Sequence, residues 1–116
     1  MSVGGGLAEA TKENFRELVS TGSVLVDVWG PQCAPCLALR PEVERLAASR
    51  PDLKVVALDS SKARRLCIEL RVMGLPAFLF FQDGREVGRL AGPDCTLPRL
   101  VQWLDQTLET TRKEVS

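Results

Sequence analysis

Two cysteines, Cys33 and Cys36, stand directly after one apolar run and directly before a helical pattern. The run is Val24-Leu25-Val26-Asp27-Val28-Trp29. It is too apolar for a strand with one wet face, so it predicts a central strand covered on both sides. The helical pattern spans about Ala34 to Ser49, with Leu39, Val43 and Leu46 spaced by four and three. Only Gly30-Pro31-Gln32 separates Trp29 from the first cysteine. A buried strand that turns at once into a helix leaves Cys33 at the tip of the turn. Cys36 then lies one helical turn further in, within bonding reach. Amide donors and partial positive charge at a helix N-terminus favour thiolate over thiol, and only the thiolate attacks a disulfide. Cys33 is therefore the expected exposed nucleophile and Cys36 the shielded thiol that resolves a mixed disulfide. Pro35 suits the first helical turn, where its missing amide hydrogen costs nothing. Ala34 is small enough for a partner chain to approach.

The chain has 116 residues, enough for one domain over 1–116 with a genuine core. Fifteen basic and fifteen acidic residues cancel, which gives no reason to expect nucleic acid or an anionic membrane as partner. No run is long enough to span a bilayer. Met1 to Ala10 lacks the basic start and apolar stretch of a signal peptide, so the expected compartment is a reducing cytoplasm. There a CxxC pair is redox-active or metal-binding more often than a structural staple. Histidine is absent, which excludes histidine-assisted nucleophiles and histidine ligands. A zinc site would have to recruit Cys67 and Cys95, which are single and far apart; no metal site is expected.

The remaining elements follow in order. Met1 to Gly6, with three glycines, is expected to be mobile, and Gly5 to Ala8 to form a short edge strand. Thr11 is the expected N-cap of a helix to about Ser20 that buries Phe15, Leu18 and Val19. Pro41 falls inside the long helix and should kink it. Leu53 to Leu58 predicts a strand parallel to the first, because a helix has crossed over between them. Ser60 or Ser61 should cap a helix from Lys62 to Leu70 that buries Ala63, Leu66, Cys67 and Leu70. A third strand, Ala77 to Phe81, follows Val72-Met73-Gly74-Leu75-Pro76. Gln82-Asp83-Gly84-Arg85 predicts a tight hairpin into Glu86 to Leu90 at an edge. After a break at Ala91 to Asp94, a last helix covers Thr96 to Thr110, and 111–116 should fray. The fold class is α/β: one mixed sheet of four to five strands flanked by four helices.

Taken together, these motifs resemble the thioredoxin family over nearly the whole chain. They are Val26-Asp27-Val28-Trp29, Cys33-Ala34-Pro35-Cys36, Pro41, Gly74-Leu75-Pro76, Asp83-Gly84 and Gly92. The resemblance implies the thioredoxin fold and a cis Pro76 facing the cysteine pair, with backbone there to receive a substrate strand. It also implies a catalytic role for Asp27. A carboxylate amid Val24, Leu25, Val26, Val28 and Trp29 is costly to bury charged, so its pKa should rise towards neutrality. By resemblance it is the base for Cys36. Trp29 would pack beside the pair, and Gly74 and Gly92 would admit a substrate backbone or serve turn geometry alone. Gln32 stands where the family has tryptophan, Ala34 where it has glycine, and Ala77 where threonine is common. Ala57 stands where a lysine often faces the buried aspartate, so Asp27 is expected to lack that cation.

The expected function is reduction of protein disulfides by a Cys33/Cys36 dithiol, without a bound cofactor. A reductase of the thioredoxin-reductase type would recharge it, and the carrier is expected to be a monomer. An oxidase or isomerase of the same fold is one alternative. A binding module that uses the Pro76 groove without turnover is another. Cys67, on the apolar side of its helix, is expected to behave as a small hydrophobe. Cys95, after the Gly92 loop, is expected near the substrate surface.

Overall fold

The apolar run becomes the middle of the molecule because both of its faces must be covered. In the computed structural model, which describes residues 7–92 and 95–115 (112–115 as helix backbone), it is the central strand of five. The elements are β1 (Ala8–Ala10), α1 (Phe15–Leu18), β2 (Ser23–Trp29), α2 (Ala34–Ser49), β3 (Lys54–Asp59), α3 (Arg64–Glu69), β4 (Ala77–Gln82), β5 (Arg85–Ala91) and α4 (Leu97–Val115). Their order across the sheet is β1-β3-β2-β4-β5. β1 and β2 run parallel to β3, while β4 is antiparallel to both β2 and β5. This is the mixed sheet with four helices that the element order predicts.

Alternation along the strands divides the core in two. Val24, Val26 and Val28 meet Phe15 and Val19 of the α1 region and Leu66, Cys67 and Leu70 of the α3 region. Leu25, Phe78 and Phe80 meet Val43 and Leu46 of α2 and Leu100 and Leu104 of α4. α2 matches its expected bounds and runs through Pro41 without interruption. Asp83 and Gly84, with φ of 52° and 86°, form the expected hairpin turn, and the Asp83 carboxylate accepts the Gly22 amide at 2.8 Å.

Several boundaries differ from expectation, for local reasons. The edge strand is Ala8–Ala10 rather than Gly5 to Ala8; Met1 to Gly6 lie outside the described residues. α1 is a single turn, shorter than Thr11 to Ser20. Thr11 and Asn14 nevertheless exchange side-chain-to-amide bonds of 3.1 and 2.6 Å, a reciprocal cap, and Phe15 packs edge-on to Phe81 at 5.6 Å. A 3-10 turn, Ser60–Lys62, capped by the Asp59 carboxylate on the Ser61 amide at 2.9 Å, precedes α3, whose own N-cap is Ala63 without a side-chain bond, so neither Ser60 nor Ser61 caps that helix. The tail expected to fray from Thr111 is helical to Val115. The Thr107 and Thr111 hydroxyls donate to the carbonyls of Trp103 and Thr107, both at 2.8 Å, so these polar side chains are satisfied within the helix. Ser116 lies outside the described residues, as do Pro93 and Asp94 of the expected break.

Leu104 is fully buried where α4 covers the sheet. Leu104→Ala is expected to cost about 2–5 kcal/mol, read as a lower urea midpoint with an unchanged slope.

Candidate active site

Cys33 occupies the N-cap of α2, with extended backbone (φ −96°, ψ 98°). Its sulfur accepts the Cys36 amide at 3.2 Å, taking the place of the usual capping oxygen. The Cys33 amide closes the preceding turn onto the Gly30 carbonyl at 3.0 Å. Cys33 and Cys36 are joined in a disulfide with Cα atoms 5.3 Å apart. Cys33 is half-buried, Cys36 is 3% exposed, and Pro35 is exposed in the first turn between them.

Two residues before β2 ends, the register sets five positions in a row across the sheet: Glu9 of β1, Ala57 of β3, Asp27 of β2, Phe78 of β4 and Leu90 of β5. Asp27 is buried, 2% exposed, among apolar neighbours. Burial pushes its carboxyl up to about 7; the Arg40 guanidinium draws it down and Glu9 adds to the rise. Ala57 does stand opposite Asp27, as expected. The missing cation nevertheless arrives from elsewhere: Arg40 of α2 places Nε 3.9 Å from Asp27 and Nη1 3.8 Å from Glu9. Its guanidinium also lies over the Trp29 ring, 4.8 Å from the centroid. Trp29 is half-buried, and its indole N–H is buried without a hydrogen-bond partner among the described residues. Sequence reasoning missed both Arg40 and Glu9. The available signal was a charged residue four positions after Cys36, on the same helix face.

The Leu75–Pro76 bond is cis, as the resemblance implied. The loop meets the cysteine turn where Leu75 packs close to Gly30: a Cβ at Gly30 would lie 3.2 Å from Leu75 Cδ1. The Pro76 carbonyl accepts the Gly92 amide at 3.1 Å and the Cys95 thiol at 3.6 Å. The two glycines separate cleanly. Gly92 has a φ of +87°, which a side chain strains to adopt. Gly74 has no positive φ, and a Cβ there would meet nothing within 4 Å. Met73 beside it is 95% exposed.

Cys67 and Cys95 lie in the two different halves of the core, on opposite faces of the sheet. They do not join the Cys33–Cys36 pair in one metal site, and among the described residues no group of three or more His, Cys, Asp or Glu is placed to hold a metal. Burial, then Asp59, pushes the Cys67 thiol up, which suits an inert packing residue. Cys95 is buried, with its thiol on the Pro76 carbonyl, so it lies just beneath the loop expected to receive substrate.

A strand-to-helix turn that joins one half-buried and one buried cysteine in a disulfide defines the site of a thiol–disulfide oxidoreductase. The family model described as Thioredoxin matches residues 6–106, and the chain belongs to the thioredoxin family. A thioredoxin of Acetoanaerobium sticklandii is 37% identical over 91 residues, 76% of this chain and 87% of that one. The short form of spinach chloroplast thioredoxin f superposes with a TM-score of 0.81 at 25% identity, covering 92% and 98% of the two chains. One chain of a complex of ferredoxin:thioredoxin reductase with thioredoxin f2 superposes at 0.80, with 22% identity and coverage of 88% and 94%. The protein is thus an oxidoreductase that acts on protein disulfides.

Two predictions follow from this geometry. The Asp27 carboxyl titrates near 7 when folded and near 3.9 when unfolded. Between those values the native state holds a proton that the unfolded chain has lost. Stability therefore falls as pH rises through this window, by on the order of 4 kcal/mol in all. Asp27→Asn should be more stable than the wild type at pH 8 and nearly equal to it at pH 4, in urea titrations of the oxidised protein. Gly92→Ala should lose about 1 kcal/mol, whereas Gly74→Ala should stay within about 0.5 kcal/mol of the wild type.

Proposed function

We propose that this protein is a dithiol electron carrier of a reducing cytoplasm, which reduces disulfides in other proteins and is recharged by a separate reductase. The reading is carried by the unequal burial of the two sulfurs: Cys33 is half-buried at the helix cap, and Cys36 is closed in behind it. In the dithiol form, the Cys36 amide and the N-terminal end of α2 favour the Cys33 thiolate. That thiolate attacks one sulfur of a substrate disulfide, and the other substrate sulfur leaves with the electron pair. Cys36 then gives its proton to Asp27 and attacks Cys33 Sγ. The Cys33–Cys36 bond forms, the mixed disulfide breaks, and the second substrate sulfur leaves as thiolate. Two electrons have passed to the substrate.

The other residues take supporting places in this reading. Asp27, pushed up to about 7, accepts and returns a proton at neutral pH. Trp29 covers the pair against water. Pro35, Gly74, Leu75, cis Pro76 and Gly92 form the rim on which a substrate strand lies; the open space at Gly74 supports this placement. Likeness to a chain of a ferredoxin:thioredoxin reductase complex supports a dedicated reductase as electron donor. The carrier works as a monomer and needs no bound cofactor.

The test is the reduction potential of the Cys33/Cys36 couple in a glutathione buffer series, paired with substrate trapping. A value near −270 mV is expected for a reductant; one near −120 mV marks an oxidant and overturns the reading. Cys36→Ser should accumulate protein adducts that dithiothreitol releases, and Cys33→Ser should accumulate none.

A further inference from the structure

We propose that Arg40 is a positioning residue for thiol–disulfide exchange: lodged between Glu9 and Asp27 and against Trp29, its guanidinium favours the ionised form of the Asp27 carboxylate on the side of the sheet that α2 covers. The inference rests on the reading of Asp27 as the base that receives the Cys36 proton.

Three observations support it independently of any titration. The first is register. Glu9 and Asp27 both pair with Ala57, so their carboxylates flank it from strands about 10 Å apart. Alanine leaves open the space that a larger side chain would fill. The second is reach. Arg40 spans that space, with one nitrogen towards each carboxylate and its flat face on the indole. A planar fork with donors on separate edges can serve two carboxylates at once; a point charge cannot do so equally. The third is the helix. Arg40 follows Cys36 by four residues, so the two share a face of α2, and helical side chains lean back towards the N-terminus. The guanidinium therefore belongs to the face of α2 that carries the buried sulfur.

The charged surroundings of Asp27 are few. α2 contributes Arg40 and β1 contributes Glu9, the two charges that act on it. The flanking strand positions are the uncharged Ala57 and Phe78. Asp59, opposite Trp29 on β3, turns its carboxylate to the Ser61 amide and hydroxyl. Arg40 is therefore the cation that opposes both desolvation and Glu9. A carboxylate must be ionised to accept the Cys36 proton. Without Arg40, a smaller fraction of Asp27 is ready at neutral pH, and Cys33 stays longer in mixed disulfide.

The test titrates the Asp27 carboxyl by carbon-detected NMR and follows, by stopped flow across pH, the formation and release of a mixed disulfide with a small peptide disulfide. In Arg40→Met the Asp27 inflection should move up by about half to one pH unit. Release at pH 7 should slow by about two- to fivefold and rejoin the wild-type rate near pH 9, while the attack by Cys33 is unchanged. Arg40→Lys should recover part of the shift, and Ala57→Lys in the Arg40→Met background should recover it by supplying a cation from the facing strand. Glu9→Gln should move the inflection down. An inflection that stays in place in Arg40→Met, or release slowed equally at every pH, overturns the proposal. Asp27→Asn separates it from its premise. If release is as fast as in the wild type, the base role falls and this role with it. If release is slowed there yet indifferent to Arg40→Met, the Arg40 role alone falls.

Discussion

The hydrogen bond from the Cys36 amide to the Cys33 sulfur depends on how abruptly β2 gives way to α2. Only 30–33 separate the end of the strand from the start of the helix. The strand is fixed by apolar contacts on both faces, so the turn is held from below by fully buried side chains of β2. The helix is fixed by Val43 and Leu46 several turns away. With both ends anchored, the sulfur at the cap has little freedom to leave the amide. Precision at a redox centre is here a property of the core beneath it rather than of local bonds.

The same anchoring explains why a carboxylate can persist at Asp27. Its burial is expensive, and the apolar contacts on either side of β2 offset that cost. The sheet supplies no cation at the register position across from it, since Ala57 stands there. α2 supplies one instead, from an element that must lie over this row in any case to deliver Cys36. Charge compensation and thiol placement thus come from one helix face, with Arg40 and Cys36 a single turn apart.

Much of this was legible in the sequence wherever local chemistry decides. The cysteine turn, the central strand, both ends of α2 and the Asp83-Gly84 hairpin follow from caps, periodicity and turn residues that act within a few positions. So does the raised pKa of Asp27, because its apolar neighbours are adjacent in the chain. What was not legible depends on distant segments meeting. The ion pairs of Arg40 join residues from β1, β2 and α2, and no local pattern announces them. The cap at Asp59 escaped because serines lay closer to the expected helix start. The length of α4 escaped because its last residues are mostly polar, and the bond from the Thr111 hydroxyl back to the Thr107 carbonyl is visible only in the folded helix. The distinction between Gly74 and Gly92 needed backbone angles, which composition does not carry.

Strand register has a further consequence. Along β2 the odd-numbered side chains, Leu25 and Asp27, share the α2 side, and the even-numbered valines share the other. Sliding β2 by one residue would leave apolar groups to fill both halves of the core, so hydrophobic burial alone discriminates weakly against it. The slip would, however, carry the carboxylate to the far side of the sheet, away from guanidinium and sulfur alike. The acid that serves the chemistry therefore also acts as an alignment mark, since it is the one side chain in the run that cannot exchange faces without being stranded.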